Sequence, residues 1–296
     1  MSAEIKTECP KCEWEPDGYA HWGCTCGHSW NTFDTKAKCP ACGIQWQDTH
    51  CPGCGQSSKH ELWYTSQDKQ QEPVAIDHPW LRKRKQIIEN KLVAYGIKNS
   101  RISYLPYLEF SEEDFQTPYE VGCRILILWA VSYVAGNLHE KDIVESWLKT
   151  TVLWDKVSEH EKKLFEGEIS QRTLIDFSWR VEAGIVLSWV VNLIEDLPGL
   201  DSQMSDDDLD ELMAKLPINE NPDFFLSTLV FRDKEEIFIE NITNEMITSY
   251  LRNLMLSDKK EPLSINPTIS FERHYALNWV RKFDEISEWD ETDTST

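Results

Sequence analysis

No apolar run in this sequence of 296 residues approaches the roughly 18 residues that a membrane-spanning helix needs. Ile125-Leu-Ile-Leu-Trp-Ala-Val131 reads instead as a core segment, and no membrane partner is expected. Positive charge is also scarce: 30 Lys and Arg face 51 Asp and Glu, for a formal charge of −21. Residues 1–78 carry six basic and eleven acidic side chains, so −5, and the remainder carries −16. A field of that sign repels phosphate backbones, which makes nucleic acid a runner-up rather than the default partner. Common catalytic signatures are missing too. There is no G-x-G-x-x-G, no phosphate-binding lysine loop, no G-x-S-x-G and no H-E-x-x-H, and the H-x-E element of zinc deaminases is absent. Met1 to Thr7 is polar and lacks the apolar stretch of an export signal, so reduced cysteines and a cytoplasmic setting are expected.

Sulfur, by contrast, is concentrated. Eight of the nine cysteines form four close pairs, Cys9-Pro-Lys-Cys12, Cys24-Thr-Cys26, Cys39-Pro-Ala-Cys42 and Cys51-Pro-Gly-Cys54. Two cysteines so spaced on a tight turn aim both sulfurs at one metal, and two such turns complete a tetrahedral site. Gly27, Gly43 and Gly55 follow three of the pairs directly, where the turn needs positive φ. Two structural Zn²⁺ ions are expected, with disulfides or an iron–sulfur centre as the alternatives. Sequential use of the pairs joins Cys9, Cys12, Cys24 and Cys26 at one ion and Cys39, Cys42, Cys51 and Cys54 at the other. Nested use joins Cys24, Cys26, Cys39 and Cys42 across a strand at His28–Phe33 and leaves the outer pairs to share the second ion. Both arrangements make a ribbon of short strands, and the spacing does not choose between them. His21, His28, His50 and His60 are expected beside the sites rather than as ligands, since eight thiols suffice.

Few aliphatic residues occur in the first 50-odd positions. A domain this small usually needs metal or disulfides to fold, and zinc binding worth about 10–16 kcal/mol can supply the folding energy. Trp14, Trp22, Trp30, Trp46 and Trp63 are expected to build small aromatic cores over the sites. Base stacking on these tryptophans, with Lys36, Lys38 and Lys59 on the backbone, is the alternative use.

Beyond a polar linker the pattern is helical, so the fold class is mainly α: a small zinc-ribbon β module, then an all-α domain. The expected boundaries are 1–64 for the double ribbon, 65–78 for the linker, 79–285 for the helical domain and 286–296 for an acidic tail. Pro79 opens a helix that Gly96 closes, and it begins with the basic cluster Arg82-Lys-Arg-Lys85, either a solvated face or a docking patch. Tyr104–Phe110 is the best strand candidate. Thr117-Pro118-x-Glu120 reads as a capping box leading into a buried helix at Val121–Val134. Short helices follow at 140–149 and 158–167, then one long central helix at Ile175–Leu197 that Pro198-Gly199 stops. Asp201–Glu211 has six acids and no base, as suits a surface helix. Asn221-Pro222 caps a short Phe224-Phe225 turn. Helices at 233–256 and 268–283 flank a Pro262–Pro267 loop, and the residues after Phe283 are expected to fray. Cys123 reads as a small core residue.

Phe177-Ser-Trp-Arg-Val-Glu-Ala183, Leu187-Ser-Trp189 with Leu197-Pro198, and Phe271-Glu-Arg-His-Tyr-Ala-Leu-Asn-Trp279 resemble the bacterial family catalogued as domain of unknown function 4272. Glu288-Trp-Asp290 and Thr292-Asp-Thr294 fit the end of that family. The resemblance covers roughly residues 79–294. Cys39-Pro-Ala-Cys42 and Trp30-Asn-Thr-Phe33 resemble a bacterial double zinc ribbon that is found fused to varied domains. The two resemblances imply a bacterial or phage source and a mostly helical second domain; they imply no activity.

Glu272, Arg273, His274 and Asn278 are the densest polar group on a helix that must also bury Phe271, Ala276, Leu277 and Trp279. Trp179, Arg180 and Glu182 make a matching insertion in the central helix. Such residues usually build a buried network that fixes packing. The catalytic alternative is a pocket between these helices, with His274 as general base or ligand contact and Glu272, Arg180 and Glu182 as further candidates. The expectation is a non-enzymatic zinc-binding interaction protein with a protein partner, suited to toxin neutralisation, phage defence or counter-defence.

Overall fold

The structure, a computed structural model, describes residues 5–66, 79–98, 108–167, 169–256 and 264–294. The chain divides into two compact units, Met1–Ile76 and Asp77–Thr296. A small β unit thus precedes a helical one. Most of the 65–78 linker and of the Tyr104–Phe110 strand candidate, and the first part of the Pro262–Pro267 loop, lie outside the described residues.

Among the described residues the first unit holds three two-stranded antiparallel sheets. β1 (Ile5–Thr7) pairs with β6 (Tyr64–Ser66) and so joins the two ends of the ribbon. β2 (Trp22–Gly23) pairs with β3 (Ser29–Trp30), and β4 (Asp48–His50) with β5 (Ser57–Lys59). A Cys pair lies in the turn of each of the latter hairpins. The strand expected through Phe33 ends at Trp30. The Asn31 side chain accepts a hydrogen bond from the Phe33 backbone N–H and turns the chain into one 3₁₀ turn, Thr32–Thr35. Two small cores form. Trp63 is fully buried with Trp14 and Phe33 beside Cys9 and Cys51, and Trp30 and Trp46 pack against Cys24 and Cys39.

The second unit is helical, with α1 (Pro79–Ala94), α2 (Pro118–Gly136), α3 (Lys141–Lys149), α4 (Glu159–Glu166), α5 (Gln171–Ser178), α6 (Arg180–Val190), α7 (Asp206–Met213), α8 (Asp223–Thr228), α9 (Lys234–Leu256) and α10 (Pro267–Val280). One hydrophobic cluster gathers α2, α6 and α10 with the shorter helices, and a second gathers α1 and α9. By composition the stretch Glu112–Gly136 is apolar enough to cross a membrane, but 67% of its apolar window is buried inside the protein. α2 is therefore a core helix, buried from Val121 to Val131. A Cβ at Gly122 would come within 2.3 Å of Leu229 Cδ1 and 2.8 Å of Leu226 Cδ2, so this glycine lets α8 press on α2.

Several expectations need correction. Ile175–Leu197 is not one helix. At Trp179 the bonding tightens, with Glu182 N–H donating to Trp179 O, and α5 ends before α6 begins. α6 then stops at Val190, where Asn192 takes a left-handed φ of 61°. At Thr117 only half of the capping box forms. Thr117 accepts from the Glu120 N–H, but the Glu120 carboxylate is held by Lys156 at 2.8 and 2.9 Å. The Phe224-Phe225 turn is a full short helix, α8, whose first N–H is taken by Asn221 Oδ1. Arg84 is not part of a solvated basic face. It lies over Trp80 and forms a two-pronged ion pair with Glu235 at 2.6 and 2.8 Å.

The acidic tail does not fray through Thr294. Trp289 is buried against Tyr275 and Trp279, with ring centroids 4.9 and 5.5 Å away. Trp279 Nε1 and Gln116 Nε2 both donate to Ser287 O, and Asn278 Nδ2 donates to Asp293 O. Composition misleads here because one buried tryptophan, with its rings and backbone partners, outweighs six solvated acids.

Candidate functional site

The structure brings the cysteines together in the nested order. Cys9, Cys12, Cys51 and Cys54 form one set and Cys24, Cys26, Cys39 and Cys42 the other, with all ligand atoms in each set within 4.8 Å of one another. In each set one thiol of each pair is buried and the other exposed. The reason for the nesting is the strand pairing. β1–β6 brings the first turn to the β4–β5 hairpin, whose turn is Cys51–Cys54, while β2–β3 presents Cys24 and Cys26 to the turn braced by the Lys38–Gln45 bridge.

The donor set fits a metal. The S···S distances are 3.9 Å (Cys9–Cys54), 3.7 Å (Cys12–Cys51), 3.5 Å (Cys24–Cys42) and 3.7 Å (Cys26–Cys39). Metal–sulfur bonds of about 2.3 Å in a tetrahedron require edges of about 3.8 Å. Acidity points the same way. The Cys26 N–H draws the Cys24 thiol down to about 6. Cys42 goes up to about 12: the Ile44 N–H lowers it, but burial and the neighbouring cysteines outweigh that bond. Thiols this close lose all their protons only against a compensating cation. Two Cys₄ groups can thus hold two metal ions.

The turns carry the expected backbone. Gly27, Gly43 and Gly55 have φ of 85°, 76° and 70°, and Glu13 fills the fourth equivalent place at φ 60°. A side chain there costs roughly 1 kcal/mol, and the four sulfurs sharing one ion offset it. None of His21, His28, His50 and His60 joins a sulfur set. His21 pairs with Asp17 at 2.7 Å. His60 is buried, bonded to Thr49 Oγ1 at 2.7 Å and Tyr64 OH at 2.8 Å, and burial lowers its pKa.

The ribbon also carries a pocket of about 440 Å³, lined by Lys36, Gln45, Trp46, Gln47, Lys59, His60, Glu61 and Tyr64. Lys36, Trp46 and Lys59 stand out in the sequence as basic and aromatic residues. Gln45, Gln47 and Glu61 carry no such signal, because only the pairing of β4 with β5 brings the two segments together.

The catalytic candidates of the helical unit form two interlocked ion pairs. Arg180 Nη1 donates to Glu272 Oε2 at 3.0 Å, with the guanidinium over the Tyr275 ring. Arg273 Nη2 reaches Glu182 Oε2 at 3.3 Å, while its Nη1 donates to Pro198 O at 2.7 Å. Glu182 and His274 are fully buried and Arg273 is 1% exposed. Burial raises the carboxyls of Glu182 and Glu272, against the pull of Arg273 and Arg180 respectively. The two pairs tie α6 to α10 and to the carbonyls of Pro198 and Gly199. The sequence reading missed a third pair of the same kind, Arg124 with Glu161 at 2.8 and 3.0 Å, because Arg124 lies inside an apolar run.

Neither ring nitrogen of His274 has a hydrogen-bond partner among the described residues. Burial lowers its pKa to about 4 from 6.5, Arg252 adds to that, and Asp293 opposes it. A depressed folded-state pKa means stability that is present above pH 6.5 and lost as pH falls toward 4. The loss should reach roughly 3 kcal/mol. Urea unfolding at stepped pH should show this slope in the wild type and not in His274→Leu; parallel curves for the two would refute it.

No curated protein and no solved structure matches the chain. A family model does match, over residues 84–292, and it is described as a domain of unknown function. The matched span contains both interlocked ion pairs, the Trp279–Trp289 contact and the helices that carry them, and from residue 84 onward the chain belongs to the DUF4272 family.

Proposed function

We propose that the protein is a non-enzymatic, cytoplasmic interaction protein in which a double zinc ribbon recognises a protein partner and the helical unit carries the ribbon. The observation that carries this reading is the closure of both metal sites. Four sulfurs fill each tetrahedral shell, and a closed shell has no position for the water or substrate of a catalytic zinc. Zinc suits the sites best among metals, because all-thiolate tetrahedra favour it and reduced cysteines suit the cytoplasm. When bound, it supplies folding energy and fixes the surface that the hairpins present.

A protein of this build would serve in toxin neutralisation, phage defence or counter-defence, and identifying its partner decides which. The test is elemental analysis of the purified chain together with affinity capture, with and without a chelator. The expected result is two zinc ions per chain and a partner lost on chelation. One ion or none, or a partner retained by the metal-free chain, would overturn the reading.

A further inference from the structure

The pocket on the ribbon has a composition that selects a ligand. Lys36 has no ion-pair partner among the described residues, and Lys59 has only the exposed Asp48 at 3.3 Å. Both line a pocket in a unit where cations are scarce, and Glu61 is its sole acidic lining residue. Trp46 packs on the Cys24–Cys39 core and carries no ring contact among the described residues, in contrast to Trp14, Trp22, Trp30 and Trp63. The inner metal site thus supports one part of Trp46 while another lines the pocket. His60 and Tyr64 are tied to each other and to Thr49, which makes one wall rigid before any ligand arrives.

Charge alone would admit a nucleic acid. Three features favour a peptide. The pocket offers two lysines and residues 1–78 contain no arginine, enough cation for one or two carboxylates but not for a run of phosphates. Phosphates flanking the pocket would meet the net negative charge of this unit, six basic against eleven acidic side chains, whereas a peptide can carry neutral residues on either side. A nucleic-acid backbone also offers only acceptors at its phosphates, whereas the Gln47 amide and Glu61 present an acceptor that a peptide N–H can satisfy.

We propose that this pocket receives a short acidic segment of a partner protein. Its carboxylates meet Lys36 and Lys59, its backbone amide meets Gln47 and Glu61, and its aliphatic stem lies on Trp46. A pocket of this size encloses side chains of an extended segment, not a whole helix. The proposal rests on the reading of the ribbon as the recognition module and names what that module reads.

The test measures anisotropy of a fluorescein-labelled oligoglutamate peptide with the full metal-loaded chain. The double variant Lys36→Gln/Lys59→Gln, a charge change of −2 like that of the control below, should weaken binding roughly tenfold, since two exposed charge pairs are lost. Both lysines are exposed, so metal content and circular dichroism should match the wild type. Lys11→Glu, on the turn of the outer sulfur set, controls for net charge and should bind as the wild type does. No binding by the wild type, or equal binding by the double variant, would overturn the proposal. Preferential capture of single-stranded oligothymidylate would overturn it in favour of nucleic acid. The native partner separates the two readings. If the double variant still captures it and the chelated chain does not, the pocket proposal fails and the ribbon reading stands. If the chelated chain captures it too, the ribbon reading itself fails.

Discussion

Chelating the metal is expected to unfold the ribbon, residues 5–66, while the helical circular dichroism stays nearly unchanged. The ribbon's buried clusters are Cys9, Cys51 and Trp63 in one and Cys24, Trp30 and Cys39 in the other, so sulfur is part of the core itself. Removing the ions takes away about 10–16 kcal/mol of binding energy per site, which such clusters cannot replace. The clusters of the second unit draw only on residues from Leu81 onward, and they include α2, α6 and α10 buried almost throughout. Cys39→Ser should act likewise, because a serine hydroxyl does not ionise at neutral pH to replace a thiolate. Near-ultraviolet circular dichroism, sensitive to Trp30 and Trp63, is the readout for the ribbon, and the far-ultraviolet helical signal is the readout for the second unit. Loss of both signals together would mean that the two units fold as one.

The second large effect is expected at the Arg273–Glu182 pair. Glu182→Leu alone should cost about 3–5 kcal/mol and lower the melting temperature by roughly 10 °C. Among the described residues it leaves the guanidinium of Arg273, 1% exposed, with only the Pro198 and Gly199 carbonyls as partners. The pair is itself imperfect, at 3.3 Å, with Glu182 Oε1 and Arg273 Nε unpartnered among the described residues. Glu182→Leu combined with Arg273→Met should therefore recover most of the loss, and can exceed the wild type. Thermal unfolding of the two single variants and the double variant makes a complete cycle. A double variant as unstable as either single would show that the pair contributes net stability, and one as unstable as the sum would show that the two side chains are not coupled. Capture of a partner through the ribbon should be unaffected in the double variant; its loss would give these residues a role in recognition.

Much of this protein is legible without coordinates, where the cause is local. The Cys pairs, and glycines directly after three of them, state a metal-binding turn because a few consecutive dihedrals decide where two sulfurs point. Thr117-Pro118 before an apolar run states a helix start, and α2 begins there with Thr117 as its cap. Ser158 and Glu161 form a complete capping box at α4, although Glu161 also reaches Arg124, a partner 37 positions away that no local pattern announces.

The sequence by itself determined that eight thiols form four turns, that a mainly helical unit follows, and that polar side chains interrupt two of its apolar helices. Tertiary structure alone decided which turns share an ion, because the strand pairing between Ile5 and Ser66 that joins the outer turns is set by contacts distant in sequence. It decided that the acidic C-terminal segment is part of the fold, since Trp289 finds Tyr275 and Trp279 only once α10 is in place. It also decided that Glu272 serves Arg180 while Arg273 serves Glu182. Charges in an interior find their partners across helices, and burial penalises any left unpaired far more than spacing along one helix rewards those that match.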